Sequence, residues 1–389
     1  MKTWISIALA ALFGAGCGGS RGAAGPQGSG PLPKADTPQT ISKAPAPNTA
    51  SQTGARAPGA QAGSPPGSKP EGPPPADPST ASNATPPPPP SPSAFPPLKF
   101  NAIYARTAKP GDGEWTPLPQ GAAAGEPPVL FQAVAHPHPI KRHVYVTIVA
   151  IDRSRVDLHL VAGTLEPESA SVPAERRPGL VPQAHQPDLI AVFNGGFMAK
   201  HGRYGMMIDG DVFLPARDEL CSVALLRDRS IRIQTWKDLR ASEREITALR
   251  QTPPCIIENG VPHPELETER RPRPWGGAEN GDTEVRRSAL GLDASGTVLF
   301  YGLGEWVTVK ALADAMRAVG AVNAAQLDIN WSYTRFLFFG RPSPGEPLEV
   351  TSTLIPKIKH TRQGYVSNPS ERDFFYLRRI RPNSTARNP

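Results

Sequence analysis

From Gly18 to about Pro97 the chain is built almost entirely from Gly, Ala, Pro, Ser, Thr and Gln, with an unbroken proline run at Pro86–Pro90. Such a stretch lacks the apolar side chains whose burial offsets the entropy of ordering a backbone. Residues 18–97 therefore read as a disordered tether, flexible at first and stiffer near the prolines. Any core has to come from the remainder, and residues 98–381 have the composition for one large core or two closely packed ones. Residues 382–389 read as a disordered tail.

Ahead of the tether, Met1-Lys2 is a minimal positive segment, and Trp4–Ala15 is an apolar run too short to span a bilayer. It leads into Gly14-Ala15-Gly16-Cys17, small residues directly before a cysteine. This pattern resembles the lipobox of bacterial lipoproteins, in which the cysteine is lipidated and becomes the mature N-terminus. Residues 1–17 then form a lipoprotein-type signal peptide, Cys17 is the lipidation site, and the protein is anchored in the bacterial cell envelope. Gly14 departs from the aliphatic residue usual there, and ordinary signal-peptide cleavage is the alternative. Both readings imply export. Of the remaining cysteines, Cys221 and Cys255 fit either a disulfide in an oxidising compartment or two buried thiols. The formal charge of +7 is dispersed. The compact basic run Lys357, Lys359, His360, Arg362 suits a solvated face, and no nucleic-acid module is visible.

Within the folded part, the stretch Asp188–Gly210 is the focus. Leu189–Phe193 reads as a buried strand that stops at Asn194-Gly195-Gly196, where two glycines let a ligand approach the backbone. Lys200, His201, Arg203 and Tyr204 crowd the next loop, before a short strand Met206–Ile208 and the pair Asp209-Gly210. Around this stretch, His143–Ile151 and Arg155–Val161 read as a hairpin through Asp152-Arg153-Ser154, the second strand alternating and half-buried. Further hairpins are expected at Cys221–Leu226 with Ile231–Thr235, at Cys255–Glu258 with the turn Asn259-Gly260, and at Val285–Leu292 with Thr297–Tyr301. A helix is expected over Ala241–Arg250, opened by a Ser242/Glu245 capping box. A second is expected from Thr308 as N-cap to Gly320. Pro262–Asp282 reads as a surface loop. Strands follow at Ala324–Ile329, Thr334–Phe339 and Asp373–Leu377. Strands dominate and helices are few: an α+β fold with a mixed, largely antiparallel sheet. His136-Pro137-His138 has no evident third metal ligand.

Four blocks in order resemble the phosphodiester glycosidase family. They are Phe193-Asn194-Gly195-Gly196-Phe197; Gln251-Thr252-Pro253-Pro254 with Asn259-Gly260; Arg287-Ser288-Ala289-Leu290-Gly291-Leu292-Asp293; and the helix from Thr308 leading into Gln326-Leu327-Asp328. One departure stands out. Where most members carry Leu-Asp-Gly-Gly-Gly-Ser, this chain has Leu327-Asp328-Ile329-Asn330-Trp331-Ser332, so Ile329 and Trp331 would fill space that glycines leave open.

The resemblance implies hydrolysis of a sugar phosphodiester, through an oxocarbenium-like transition state with a phosphate leaving group. A carboxylate near the anomeric carbon supports that charge, and an arginine holds the phosphate oxygens. On that basis Asp328 is the catalytic carboxylate, with Asp209 as second carboxylate, and Asn194 binds a hydroxyl or phosphate oxygen. Arg287 is the phosphate ligand, with Gly195, Gly196, His201, Tyr204, Asn330 and Ser332 around the substrate. Asp209-Gly210 reads equally well as an ordinary turn, and of Arg286 and Arg287 one must point away. No cofactor is called for, although a divalent ion at Asp328 stays open. The expected partners are a carbohydrate or phosphoglycan of the cell envelope and, through Cys17, the membrane. A non-catalytic, surface-tethered glycan-binding module is the alternative.

Overall fold

A computed structural model describes residues 94–122, 125–268, 274–278 and 282–381; Cys17 and the rest of the expected signal peptide, most of the expected tether and the expected tail 382–389 lie outside the described residues. Three sheets carry the fold, and every pairing between their strands is antiparallel. The first runs in the order β1 (Thr116–Leu118), β2 (Leu130–Ala135), β3 (Tyr145–Asp152), β14 (Val298–Val307), β13 (Val285–Leu292), β15 (Asn323–Gln326), β11 (Ile257–Glu258), β12 (Val261–Pro262). The second is β7 (Asp211–Leu214), β6 (Met206–Ile208), β10 (Ile246–Thr252), β8 (Cys221–Leu226), β9 (Ile231–Thr235). The third is β17 (Glu349–Thr353), β16 (Phe336–Gly340), β5 (Leu189–Asn194), β18 (Phe374–Arg379), β4 (Val156–Val161). With two α-helices, α1 (Trp236–Leu239) and α2 (Val309–Ala318), among the described residues, the α+β expectation holds.

β3 and β14 are nearly continuous apolar runs because both of their faces are covered. Val149, Ile151, Leu299, Tyr301 and Leu303 enter a core shared by the three sheets, with Phe193, Phe336 and Phe375 of the third sheet and Val223 and Ile233 of the second. Val146, Ile148, Ala150 and Phe300, one residue out of step, face the other way and meet α2. Thr308 caps that helix as the sequence predicts, its Oγ1 accepting from the Ala311 N–H at 3.1 Å. Gly291 and Gly302 let it approach the sheet: a Cβ on either would stand 2.9 or 2.8 Å from Met316.

Two strand expectations need correcting. β3 and β4 do not pair: both edges of β3 are taken by β2 and β14, while β4 joins β18 in another sheet. Nor is β4 half-exposed. Its Asp157 is buried, and both carboxylate oxygens are taken, by Arg229 at 2.9 Å and Arg378 at 3.2 Å.

The helix over Ala241–Arg250 is absent as well. A 3-10 segment covers Arg240–Glu245, and Ile246–Thr252 is the strand β10 between β6 and β8. Two neighbouring strands with free hydrogen-bonding edges outweigh a local capping signal.

The loop from Pro262 also departs from expectation. Trp275 is fully buried in it, donating from Nε1 to the Pro254 carbonyl at 2.7 Å. The cysteine question resolves in favour of a Cys221–Cys255 disulfide. His136 pairs with Asp112 at 2.7 Å, and His138 accepts from the Ile140 and Lys141 N–H groups. Phe95, assigned by composition to the tether, packs edge-on against Phe131 with ring centres 5.5 Å apart.

Candidate active site

The strand β5 ends in a buried polar knot. Asn194 is wholly inaccessible. Its Nδ2 donates to Ser288 Oγ at 3.0 Å, and its Oδ1 accepts from the Tyr301 hydroxyl at 2.9 Å and the Arg335 N–H at 3.1 Å. Ser288 and Thr334 donate in turn to the Asp328 carbonyl, and the Asp328 N–H donates to the Gly195 carbonyl at 3.1 Å. A buried amide must find partners on both of its ends. Here those partners fix three chain segments to one another, so Asn194 positions the Asp328 turn rather than facing a ligand.

The two glycines serve a different purpose from the one their sequence suggests. Above them lies a buried ion pair: Arg250 Nε donates to Asp373 Oδ2 at 2.8 Å and Nη2 to Oδ1 at 3.2 Å, and the Gly196 N–H also reaches Oδ2 at 2.9 Å. A Cβ at Gly195 would fall 2.1 Å from Asp373 Oδ2, and one at Gly196 2.5 Å from Arg250 Cζ. The space they leave is filled by protein, not left open to a ligand. Arg250 also donates to the Phe197 and Tyr204 carbonyls, which ties down the loop after β5.

Asp328 stands just past β15 and is 1% exposed. Oδ1 accepts from the Asn330 N–H at 3.0 Å, and Oδ2 accepts from Arg372 Nη2. Burial pushes its carboxyl above the ordinary carboxylate range; Arg372 and the Asn330 N–H pull it down, and the nearby Asp373 adds to the rise. Desolvation and an adjacent cation thus oppose one another on one group, a pattern common at functional sites.

Asp328 lines a pocket of about 530 Å³ together with Phe197, His201, Tyr204, Arg286, Glu305 and Trp306, among others. Strand parity decides which arginine reaches it. On β13, Arg286 and Ser288 share a face with Leu290, toward the third sheet; Arg287 shares the other with Ala289. All the N–H groups of Arg287 are directed to the Val307, Trp275, Gly276 and Thr283 carbonyls and to Gln326 Oε1. It therefore organises the loop around Trp275 and presents no donor to the pocket. Arg286 does line the pocket, donating to the Trp331 carbonyl at 3.0 Å and to Glu305.

The Asp328–Ser332 turn does not block the cavity. Ile329 packs with Phe197, Tyr204 and Leu220, and Trp331 turns outward, 55% exposed, with Arg286 and Lys359 over its ring at 5.4 and 5.8 Å.

Of the residues singled out in the sequence, His201, Tyr204, Asp328 and Asn330 meet in this pocket. His201 is exposed at its edge. Tyr204 is buried, and that burial raises its hydroxyl pKa against the pull of Arg217 and Arg250. Asn330 closes a turn, accepting from the Ser332 N–H and hydroxyl, and Ser332 lies in a neighbouring groove with Arg335 and Arg372. Asp209 is elsewhere. It sits exposed in the β6–β7 turn, in a left-handed conformation (φ 48°), and lines a separate cleft beside His159.

Sequence reasoning missed Arg250, Glu305, Trp306, Arg372 and Asp373. Arg372-Asp373, a charged pair directly before the apolar run Phe374–Leu377, was the visible signal for two of them. Among the described residues, no three His, Cys, Asp or Glu side chains cluster so as to hold a metal ion.

Residues 187–333 match the phosphodiester glycosidase family, as the resemblance read from the sequence implies. The matched segment holds Asn194, Arg286, Glu305 and Asp328; Arg372 and Asp373 lie beyond it. Among solved structures, the chain is similar to the catalytic domain of zebrafish N-acetylglucosamine-1-phosphodiester alpha-N-acetylglucosaminidase, auto-inhibited by its pro-peptide. That similarity has 14% identity and a TM-score of 0.41, and covers 66% of this chain and 85% of that one. It is also similar to a hypothetical protein from Synechocystis, at 12% identity and a TM-score of 0.34, covering 66% of this chain and 65% of that one. No curated protein matches.

Proposed function

We propose that this protein is an exported hydrolase that cleaves the sugar–phosphate linkage of a glycosyl phosphodiester in cell-envelope glycans. One observation carries the reading: a nearly inaccessible carboxylate, Asp328, lines a pocket that also holds a second carboxylate, Glu305, and a guanidinium, Arg286. The family match over residues 187–333 supports it.

In this mechanism the sugar lies with its anomeric carbon toward Asp328. The C–O bond to phosphate breaks, the bonding electrons leave with the phosphate oxygen, and the Asp328 carboxylate supports the positive charge on the ring. Water adds to the anomeric carbon and gives its proton to Glu305, which stands as the pocket's second carboxylate in place of Asp209. Phosphate is a weak base, so it leaves with little acid help, and Arg286 balances its charge. Arg372 opposes the rise that burial imposes on the Asp328 carboxyl; Asn194 and the Arg250–Asp373 pair hold the loops that carry these groups.

The disulfide Cys221–Cys255 agrees with export. We further propose anchorage through lipidated Cys17, for which a Cys17→Ala variant should pass from the membrane to the soluble fraction; unchanged membrane association would refute it.

The reading is tested by incubating the full chain with a panel of glycosyl phosphodiesters and following release of the free sugar. Glu305→Gln should reduce turnover about 100-fold or more, in the range of lost general-base catalysis. The outward Trp331 favours the second reading, a glycan-binding module. Binding of envelope glycans with no release of sugar from any member of the panel would establish that one instead.

A further inference from the structure

Glu305 and Trp306 are consecutive on β14, and in a regular strand their side chains would point to opposite faces. Opposite Arg286 the ladder slips: Val285 pairs with Val307 but Arg287 with Gly304, so Glu305 and Trp306 together face one residue. A bulge of this kind re-aims side chains, and both residues line the Asp328 pocket. Trp306 adopts the left-handed region to do so, with φ 58°. Glycine takes that conformation freely, whereas a bulky side chain takes it against steric resistance. Strain of this sort persists where the surrounding structure imposes it, and it gathers at ligand sites.

Packing does not account for the arrangement. The Trp306 indole is 64% exposed and has no ring or cation over it among the described residues. Trp331, the other exposed indole of the pocket, has Arg286 and Lys359 over its ring. Trp306 therefore offers the open aromatic face at the mouth, while Asp328 lies at depth.

We propose that Trp306 is a stacking platform that sets specificity for the group on the outer, leaving-group side of the phosphate, favouring a sugar ring there over a small alkyl group. This rests on the hydrolase reading above. One face of a pyranose presents C–H groups and suits an indole face, while its hydroxyls stay in water. The inner sugar is directed to Asp328, the phosphate to Arg286, and the outer ring to Trp306.

The test uses the full chain and glucosyl and N-acetylglucosaminyl phosphodiesters made in pairs, one member with a hexose and the other with a methyl group on the far phosphate oxygen. Affinity is read by indole fluorescence in the Asp328→Asn background, and KM in the Asp328-containing protein. Trp306→Gly should weaken the hexose member about tenfold, leave the methyl member within about twofold, and keep or raise Tm because glycine relieves the backbone. Trp306→Phe should retain most of the affinity, which separates stacking from any fold defect. Equal effects on both members, or none, overturn the platform while leaving any hydrolase activity in place. If no member is hydrolysed yet the hexose member still binds through Trp306, the platform stands and the hydrolase reading falls.

Discussion

Arg372 donates from Nη2 to Oδ2 of Asp328 while its guanidinium lies over the Tyr333 ring, 4.2 Å from the ring centre. Tyr333 is buried and donates its hydroxyl to the Asp373 carbonyl. The cation is thus held in place beside a carboxylate that burial alone would tend to neutralise.

That relationship predicts a pH effect. Asp328 has to be ionised to support the sugar cation, so activity rises with pH through its pKa. Burial raises that pKa and Arg372 opposes the rise. Removing the charge in Arg372→Gln should therefore move the acid limb of the pH–kcat profile to higher pH. An unmoved limb with only a lower plateau would mean that Arg372 does not act on Asp328.

The Arg250–Asp373 pair is predicted to be structural. Both side chains are fully buried, and removing one partner leaves the other charge without compensation. Asp373→Asn should destabilise by about 3–5 kcal/mol, read as a lower urea midpoint at unchanged m. Gly196→Ala should act in the same direction, since its Cβ would displace Arg250.

The disulfide joins residues 34 apart. Closing a loop of that size should stabilise by about 3–4 kcal/mol in the chain-entropy account. A Cys221→Ser/Cys255→Ser double variant should lose about 10 °C in Tm, checked by calorimetry with and without reductant.

Much of the fold was legible because apolar runs, turn pairs and the Thr308 cap are local signals. Strands β8, β9, β13, β14 and helix α2 follow from them. The failures are failures of long-range pairing. β10 looked helical because its capping spacing is local, whereas its partners β6 and β8 are distant in sequence. β3 and β4 looked like a hairpin because they are adjacent, but each belongs to a different sheet.

At the site, Asp328 could be read from its block. The choice between Arg286 and Arg287 turned on strand parity, which needs a known inner face. Glu305 and Trp306 needed the bulge, and Arg372 and Asp373 come from a strand end far along the chain. The glycines at 195 and 196 signalled close approach correctly, but the approaching group is the Arg250–Asp373 pair.

The central claim rests on Asp328, and the most direct measurement is kcat and ligand affinity of Asp328→Asn on a hydrolysed glycosyl phosphodiester. Losing an interaction made chiefly in the transition state lowers the rate with little change in binding. The account predicts a fall in kcat of about 1,000-fold or more, with Kd within about threefold of the unsubstituted protein. A variant that keeps its rate, or that loses affinity and rate in equal measure, would contradict it.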